Sequence, residues 1–301
     1  MIRGWVRRLL IFLTVVMILG GVGLLLYPTV SDFWNRYRNS RLISTYQQTI
    51  THLTPDQNQA IWAQAKAYNK AHTTNTIVDA FKDEKEYVLT APYDKLLNPT
   101  GDNIMGTIEI PKIHVKLPIF HGVGEDALQR GAGHLEGTSL PIGGPSTHSV
   151  LSAHRGLPSA LLFTDLDQLA PGDLFYIYIM GQGFAYRVAE IETVLPQESG
   201  RLAIQPGRDL CTLLTCTPYG VNSHRLLVTG ERTPYIPDKA KPVEEKDVEV
   251  LQEALANWQI TLGGIALLVL FILLFLLRNR RKKKAALQTG AHIETHHQEK
   301  E

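Results

Sequence analysis

The chain has 301 residues, 44% of them apolar and 20% charged, which is enough for a genuine core and excludes a chain too short or too polar to fold. Its net charge of +1 gives no overall pull toward an anionic partner such as nucleic acid. Cysteine is scarce: Cys211 and Cys216 are the two present.

Arg3, Arg7 and Arg8 precede an uncharged block at residues 9–26, and a second such block occupies 258–277. Each is about 18–20 residues long, which at about 1.5 Å per helical residue spans the ~30 Å hydrocarbon layer. The second block is followed by Arg278, Arg280, Arg281, Lys282, Lys283 and Lys284. Positive charge outside both blocks puts both termini in the cytoplasm and residues 29–257 outside. The first block runs through Tyr27 into Pro28 without a small-residue cleavage site, so it reads as a retained anchor and not as a signal peptide. The basic run after the second reads as a stop-transfer and lipid-headgroup segment, not as a nucleic-acid patch.

Past Pro28, residues 31–72 read as two helices broken near Leu53. Thr54-Pro55-Asp56-Gln57 starts the second with a capping Thr, a Pro at the first helical position and a Gln three residues after the cap. Residues 71–103 hold no period and read as irregular. From Gly106 the texture changes to short alternating runs. Strands are expected at 107–110, 115–120, 173–180, 184–193, 210–216 and 226–229, with a hairpin turn at Gly181-Gln182-Gly183. Many short strands with few helices indicate a mainly β domain, a small barrel or sandwich. The organisation expected is a cytoplasmic start and span at 1–28, a helical stalk and lid segment at 29–104, and the β domain at 105–234. A linker at 235–257, a span at 258–277 and a basic cytoplasmic tail at 278–301 complete it.

The chemistry concentrates in the β domain. On a strand at 210–216, alternation puts Cys211 and Cys216 on opposite faces, which argues for one core thiol and one chemical thiol and against a disulfide. Cys216 ends its strand, where a thiol is held rigidly yet stays accessible to attack a carbonyl. Arg225 begins the next strand and brings a permanent charge that can stabilise a thiolate or an oxyanion. His154, just after the apolar pair Val150-Leu151, has the imidazole chemistry to protonate a leaving amine and deprotonate an incoming one. Taken singly each has an ordinary structural use, since cysteines are often buried and inert and a lone histidine is more often a hydrogen-bonded strut.

Together they carry more. Thr212-Leu213-Leu214-Thr215-Cys216, with Arg225 nine residues on and the His154 segment before it, resembles the signature of sortases. The resemblance covers about residues 106–232, and anchoring at both ends resembles the pilin-polymerising class C branch. It implies an eight-stranded sortase β-barrel and a cysteine transpeptidase with His154 as acid/base, Cys216 as nucleophile and Arg225 as stabiliser. It implies no cofactor. The implied substrate carries a Leu-Pro-x-Thr-Gly-like sorting signal, cleaved after Thr to a thioester that a pilin lysine resolves. Pilin subunits and membrane lipid are then the partners, with the catalytic domain extracellular.

Class C sortases are also similar in having a lid before the barrel, usually with an Asp-Pro-aromatic motif. Asp79-Ala80-Phe81 is the nearest match, lacking the proline. By resemblance Asp79 pairs with Arg225 and Phe81 sits against Cys216. Ala91-Pro92-Tyr93 is a rival without the acid. His121, His134, His148 and His154 show no close metal-ligand spacing, and the tail histidines His292, His296 and His297 are a compositional cluster, so no metal is expected. His224, next to Arg225 on a strand, points to the opposite face. The absence of G-x-S-x-G argues against a serine hydrolase. Two alternatives stay open: a sortase attaching proteins to peptidoglycan, and a catalytically silent membrane-tethered binding module.

Overall fold

The computed structural model describes residues 2–72, 74, 79–82 and 87–236. The second apolar block, the basic tail and all but the first two positions of the expected linker lie outside the described residues.

Helix α1 (Ile2–Thr51) is continuous through Pro28, so the expected membrane block and the first stalk helix are one rod. It is the one helix among the described residues long and apolar enough to cross a membrane, and none of its apolar window packs on the rest of the protein. Its last turns do pack: Ile43 and Tyr46 are buried. The Tyr46 hydroxyl donates to the Met105 carbonyl at 2.6 Å and accepts from the Met180 amide at 3.0 Å. Burial pushes the pKa of that phenol up to about 12. Helix α2 (Pro55–Ala71) starts as the sequence indicates, with Thr54 accepting from the Gln57 amide and the Gln57 side chain accepting from the Thr54 amide.

The β domain is a closed barrel. In chain order its strands are β1 (Ile104–Ile110), β2 (Val115–His121), β3 (Ala132–His134), β4 (Thr147–Ser152), β5 (Leu174–Ile179), β6 (Gln182–Val194), β7 (Asp209–Thr217) and β8 (His224–Thr233). Around the barrel they run β1-β2-β3-β4-β7-β8-β6-β5, and closure leaves no sheet edge for intermolecular pairing. β7 sits between β4, to which it is parallel, and β8, to which it is antiparallel. Covered on both faces, it reads as the nearly unbroken apolar run that such strands show.

Six strands follow the sequence expectation within a few residues. β3 and β4 do not, because β3 has three residues and β4, Thr-His-Ser-Val-Leu-Ser, is buried along its whole length and so has no polar–apolar alternation. The β5–β6 turn also differs. Ile179 pairs with Gln182, leaving Met180 and Gly181 as a two-residue turn with φ of +49° and +78°, while Gln182 and Gly183 belong to β6. Two successive left-handed residues match the twist of a hairpin, and glycine accepts that φ without strain. Gly183 is needed for another reason: a Cβ there would lie 2.6 Å from the Tyr235 ring.

The barrel interior is filled by Ile108, Ile119, Phe175, Ile177, Tyr186, Leu213 and their neighbours, with Phe175 and Tyr186 stacked at 5.5 Å. Cys211 and Leu213 belong to this interior, whereas Leu214 and Leu227 belong to a second apolar cluster with Val150, Val194 and Ala80. Alternation along β7 thus divides its side chains between the core and the face that carries the candidate chemistry.

Candidate active site

Cys216 and Arg225 are register partners across β7 and β8. Residues directly opposite in an antiparallel pair share a face with Cβ atoms about 4.5–5.5 Å apart, so thiol and guanidinium are neighbours by strand geometry alone. Cys211 is fully buried on the other face, burial pushes its thiol far above the ordinary range, and no disulfide joins the two cysteines.

His154 arrives from the other side. The parallel β4–β7 ladder ends with Ser152 opposite Leu214, and two residues further along each chain stand His154 and Cys216. The chain on both sides of His154 is tied to β7. The Ala153 amide donates to the Leu214 carbonyl at 3.2 Å and the Thr215 hydroxyl donates to the Ala153 carbonyl at 2.7 Å. Beyond His154, Arg155 donates to the Thr217 hydroxyl at 3.0 Å and to Asp167 at 2.5 Å. Residues flanking the histidine are therefore fixed on residues flanking the cysteine.

Residues 79–82 lie over this face. Asp79 accepts two hydrogen bonds from Arg225, 2.8 Å from Nε and 2.7 Å from Nη2, and the remaining Nη1 donates to the carbonyls of Asn222 and His224. Burial works against the Arg225 charge, but the Asp79 hydrogen bond and the Cys216 sulfur outweigh it and hold the guanidinium above its ordinary pKa. Phe81 rests 5.6 Å from the His154 ring, and the Arg225 guanidinium carbon lies 5.3 Å from the Phe81 centroid. Both contacts put Phe81 at the mouth between imidazole and guanidinium. Desolvation under this cover, opposed by Glu125, lowers the His154 pKa from its ordinary value and so favours the neutral imidazole.

The five residues singled out from sequence, Asp79, Phe81, His154, Cys216 and Arg225, are thus brought to one face. His224, next to Arg225 on β8, falls on the other side by strand alternation, and its ring bonds to Ser223. The rival triplet Ala91-Pro92-Tyr93 lies elsewhere. Tyr93 is buried, donates to Nδ1 of His134 at 2.8 Å and accepts from the Gly122 amide at 3.0 Å. His134 Nε2 in turn donates to the Ser139 carbonyl, and burial lowers its pKa to about 3. His121 and His148 also bond backbone carbonyls, from Leu96 and Ala203. Sequence reasoning missed Glu136, which accepts from the Tyr87 and Thr90 hydroxyls and fixes the chain at those residues. It also missed Thr215 and Thr217, whose bonds are invisible until β4 is known to adjoin β7.

A family model for the sortase domain matches residues 108–233. Among solved structures, sortase C-1 from Actinomyces oris is 49% identical with a TM-score of 0.57, covering 60% of this chain and 100% of its own. The chain belongs to the sortase family. Its structural neighbours are of class C: sortase C1 from Streptococcus agalactiae is 44% identical, TM-score 0.59, over 65% of this chain and 100% of its own. The sortase C of Streptococcus pneumoniae, whose crystal structure addresses catalysis and pilin substrate specificity, is 42% identical, TM-score 0.60, over 65% and 97%. Sortases of other types are more distant: sortase A of Streptococcus agalactiae is 32% identical over 117 residues, 38% of this chain and 47% of that enzyme. This chain is a class C sortase, within a family of cysteine transpeptidases.

Proposed function

We propose that this sortase is a pilin-polymerising transpeptidase in which Cys216 is the nucleophile, His154 the acid/base and Arg225 the stabilising cation. The cross-strand pairing of Cys216 with Arg225, capped by the two-pronged Asp79 contact, carries the reading. The Cys216 sulfur attacks the Thr carbonyl carbon of a sorting signal, and the negative charge of the tetrahedral oxygen develops within reach of Arg225. His154 accepts the Cys216 thiol proton as the sulfur attacks and passes it to the departing Gly amine, leaving a thioester on Cys216 and a neutral imidazole. A lysine amine of a second pilin attacks that thioester, His154 takes up the amine proton, an isopeptide bond forms and the thiol is restored.

In the closed arrangement Asp79 occupies Arg225 and Phe81 occupies the mouth, so the lid must move before a peptide reaches Cys216. The anchor reading of α1, with barrel and lid outside and the termini inside, belongs to the same proposal, as do the stalk, barrel and linker boundaries. Holding donor, acyl-enzyme and acceptor on one membrane raises their effective concentration.

Incubation of the protein with a sorting-signal peptide, followed by intact mass spectrometry, tests the reaction. A thioester adduct on wild type, absent from Cys216→Ala, is expected. No adduct on wild type, even with Asp79→Asn to release the lid, would leave the binding-module reading. Competition between a pilin lysine donor and a peptidoglycan amine then separates polymerisation from wall attachment; preference for the wall amine would overturn the acceptor assignment.

A further inference from the structure

The face of α1 that meets the barrel begins abruptly. Asp32 accepts from the Leu161 amide at 2.9 Å, Asn35 donates to the Ser159 carbonyl at 2.7 Å and Asn39 donates to the Arg130 carbonyl at 2.6 Å. Ile43 and Tyr46 continue the same stripe at three- and four-residue spacing, whereas residues 27–30 are exposed all round. The connection between β4 and β5 is therefore bolted to the helix just where the apolar block ends.

Helix length sets the height of that bolt. Asp32 is about 9 Å above Leu26 at about 1.5 Å per residue, close to the outer limit of a headgroup layer that adds about 5–8 Å to each side of the hydrocarbon core. The aromatic residues give the same register. Trp5 and Trp34 are 68% and 61% exposed, and they lie about 44 Å apart along the helix against about 40–45 Å for a whole bilayer. Tyr27 is exposed at the outer end of the apolar block, as amphipathic rings are at a membrane interface. Beside Asp32 the loop presents Leu161, 49% exposed, and three positions earlier exposed Pro158.

We propose that the barrel rests on the membrane, with the loop at residues 158–162 seated in the outer headgroup layer and the lipid surface as its partner. This rests on the anchor reading of α1. Continuity with the span selects lipid over a protein partner, because Leu161 hangs from the helix at headgroup height. The loop descends directly from the site: the Phe163 amide donates to the His154 carbonyl at 3.1 Å.

The test uses the full chain in nanodiscs of phosphatidylglycerol and phosphatidylcholine. Leu161→Cys, and separately the neighbouring Pro158→Cys, each carry a nitroxide on a Cys216→Ala background; Cys211 is fully buried and out of the reagent's reach. Gln182→Cys is the reference, on the turn that Tyr46 holds high on the helix through the Met180 amide. Collision rates with oxygen and with a water-soluble nickel chelate report depth. A several-fold higher oxygen-to-nickel ratio at 161 and 158 than at 182 is expected. Ratios equal to that at 182 in protein that has entered the discs would overturn the inference. Failure to enter discs or vesicles would instead overturn the anchor reading on which it depends. Spin–spin broadening between copies labelled at 161 would assign the loop to a second copy of the chain and also overturn it.

Discussion

Replacing Asp79 by Asn removes the charge from the lid's contact with Arg225 while keeping its size. Asp79 and Arg225 side chains are 13% and 10% exposed and share two short hydrogen bonds, so solvent screens the pair little. Charge-assisted bonds in such a fork are about twice as strong as neutral ones, and opening returns both partners to water, which leaves a net latch of about 2–3 kcal/mol. Losing it shifts the closed-to-open ratio by roughly 30- to 150-fold, since about 1.4 kcal/mol is tenfold. If thiol reagents reach Cys216 only in the open state, the second-order labelling rate rises by that factor until the lid is open all the time. Asp173→Asn, which removes a carboxylate charge shared with Lys112 and the Ala170 amide in the β4–β5 connection, is the control and leaves the rate unchanged. A change of less than about twofold for Asp79→Asn, with about 1.4 kcal/mol counted per tenfold, would show that this contact does not hold the lid shut.

Phe81→Ala uncovers the His154 ring, so the imidazole pKa, lowered by burial in the wild type, moves back toward 6.5; an NMR titration of the ring proton reads this, and an unchanged value would place the desolvation elsewhere. The neutral buried His134 makes stability depend on acid. Its contribution is complete above the unfolded value of about 6.5 and is lost as pH falls from there toward about 3. The slope is about 1.4 kcal/mol per pH unit, and urea midpoints for His134→Asn should lose it while starting about 1–3 kcal/mol lower, because the Ser139 carbonyl loses its imidazole donor. An identical acid slope in the variant would refute the assignment. Finally, Gly230→Ala sets a Cβ 2.4 Å from the Phe175 ring and 2.9 Å from Tyr186, an overpacking that costs about 1–3 kcal/mol and shows as a lower thermal midpoint; wild-type stability would mean the stack can shift freely.

Much of this protein could be read from residue order. The break at Leu53 and the cap at Thr54 are local events, decided by side chains within three positions of one another. The separation of Cys211 from Cys216 needed only the two-residue period of a strand, and the structure places them in the core and on the opposite face. Family resemblance extended this to the number of strands and to the residues that gather at the site.

Tertiary structure decided what depends on contacts between distant segments. β3 and β4 carry no period because their neighbours cover both faces, so their place beside β7 emerges only when the barrel closes. That adjacency is what lets Thr215 and Thr217 hold the chain around His154. Asp79 reaches Arg225 across 146 positions of sequence, a pairing that only family resemblance suggested, and the tyrosine of the rival Ala91-Pro92-Tyr93 proves to be a buried strut. The rod-like union of the apolar block with the stalk has the same origin: Pro28 lies within α1, and only three-dimensional packing shows the barrel fastening itself to that helix from Asp32 onward. Sequence settles which side chains are present and how they alternate; closure of the barrel settles which of them meet.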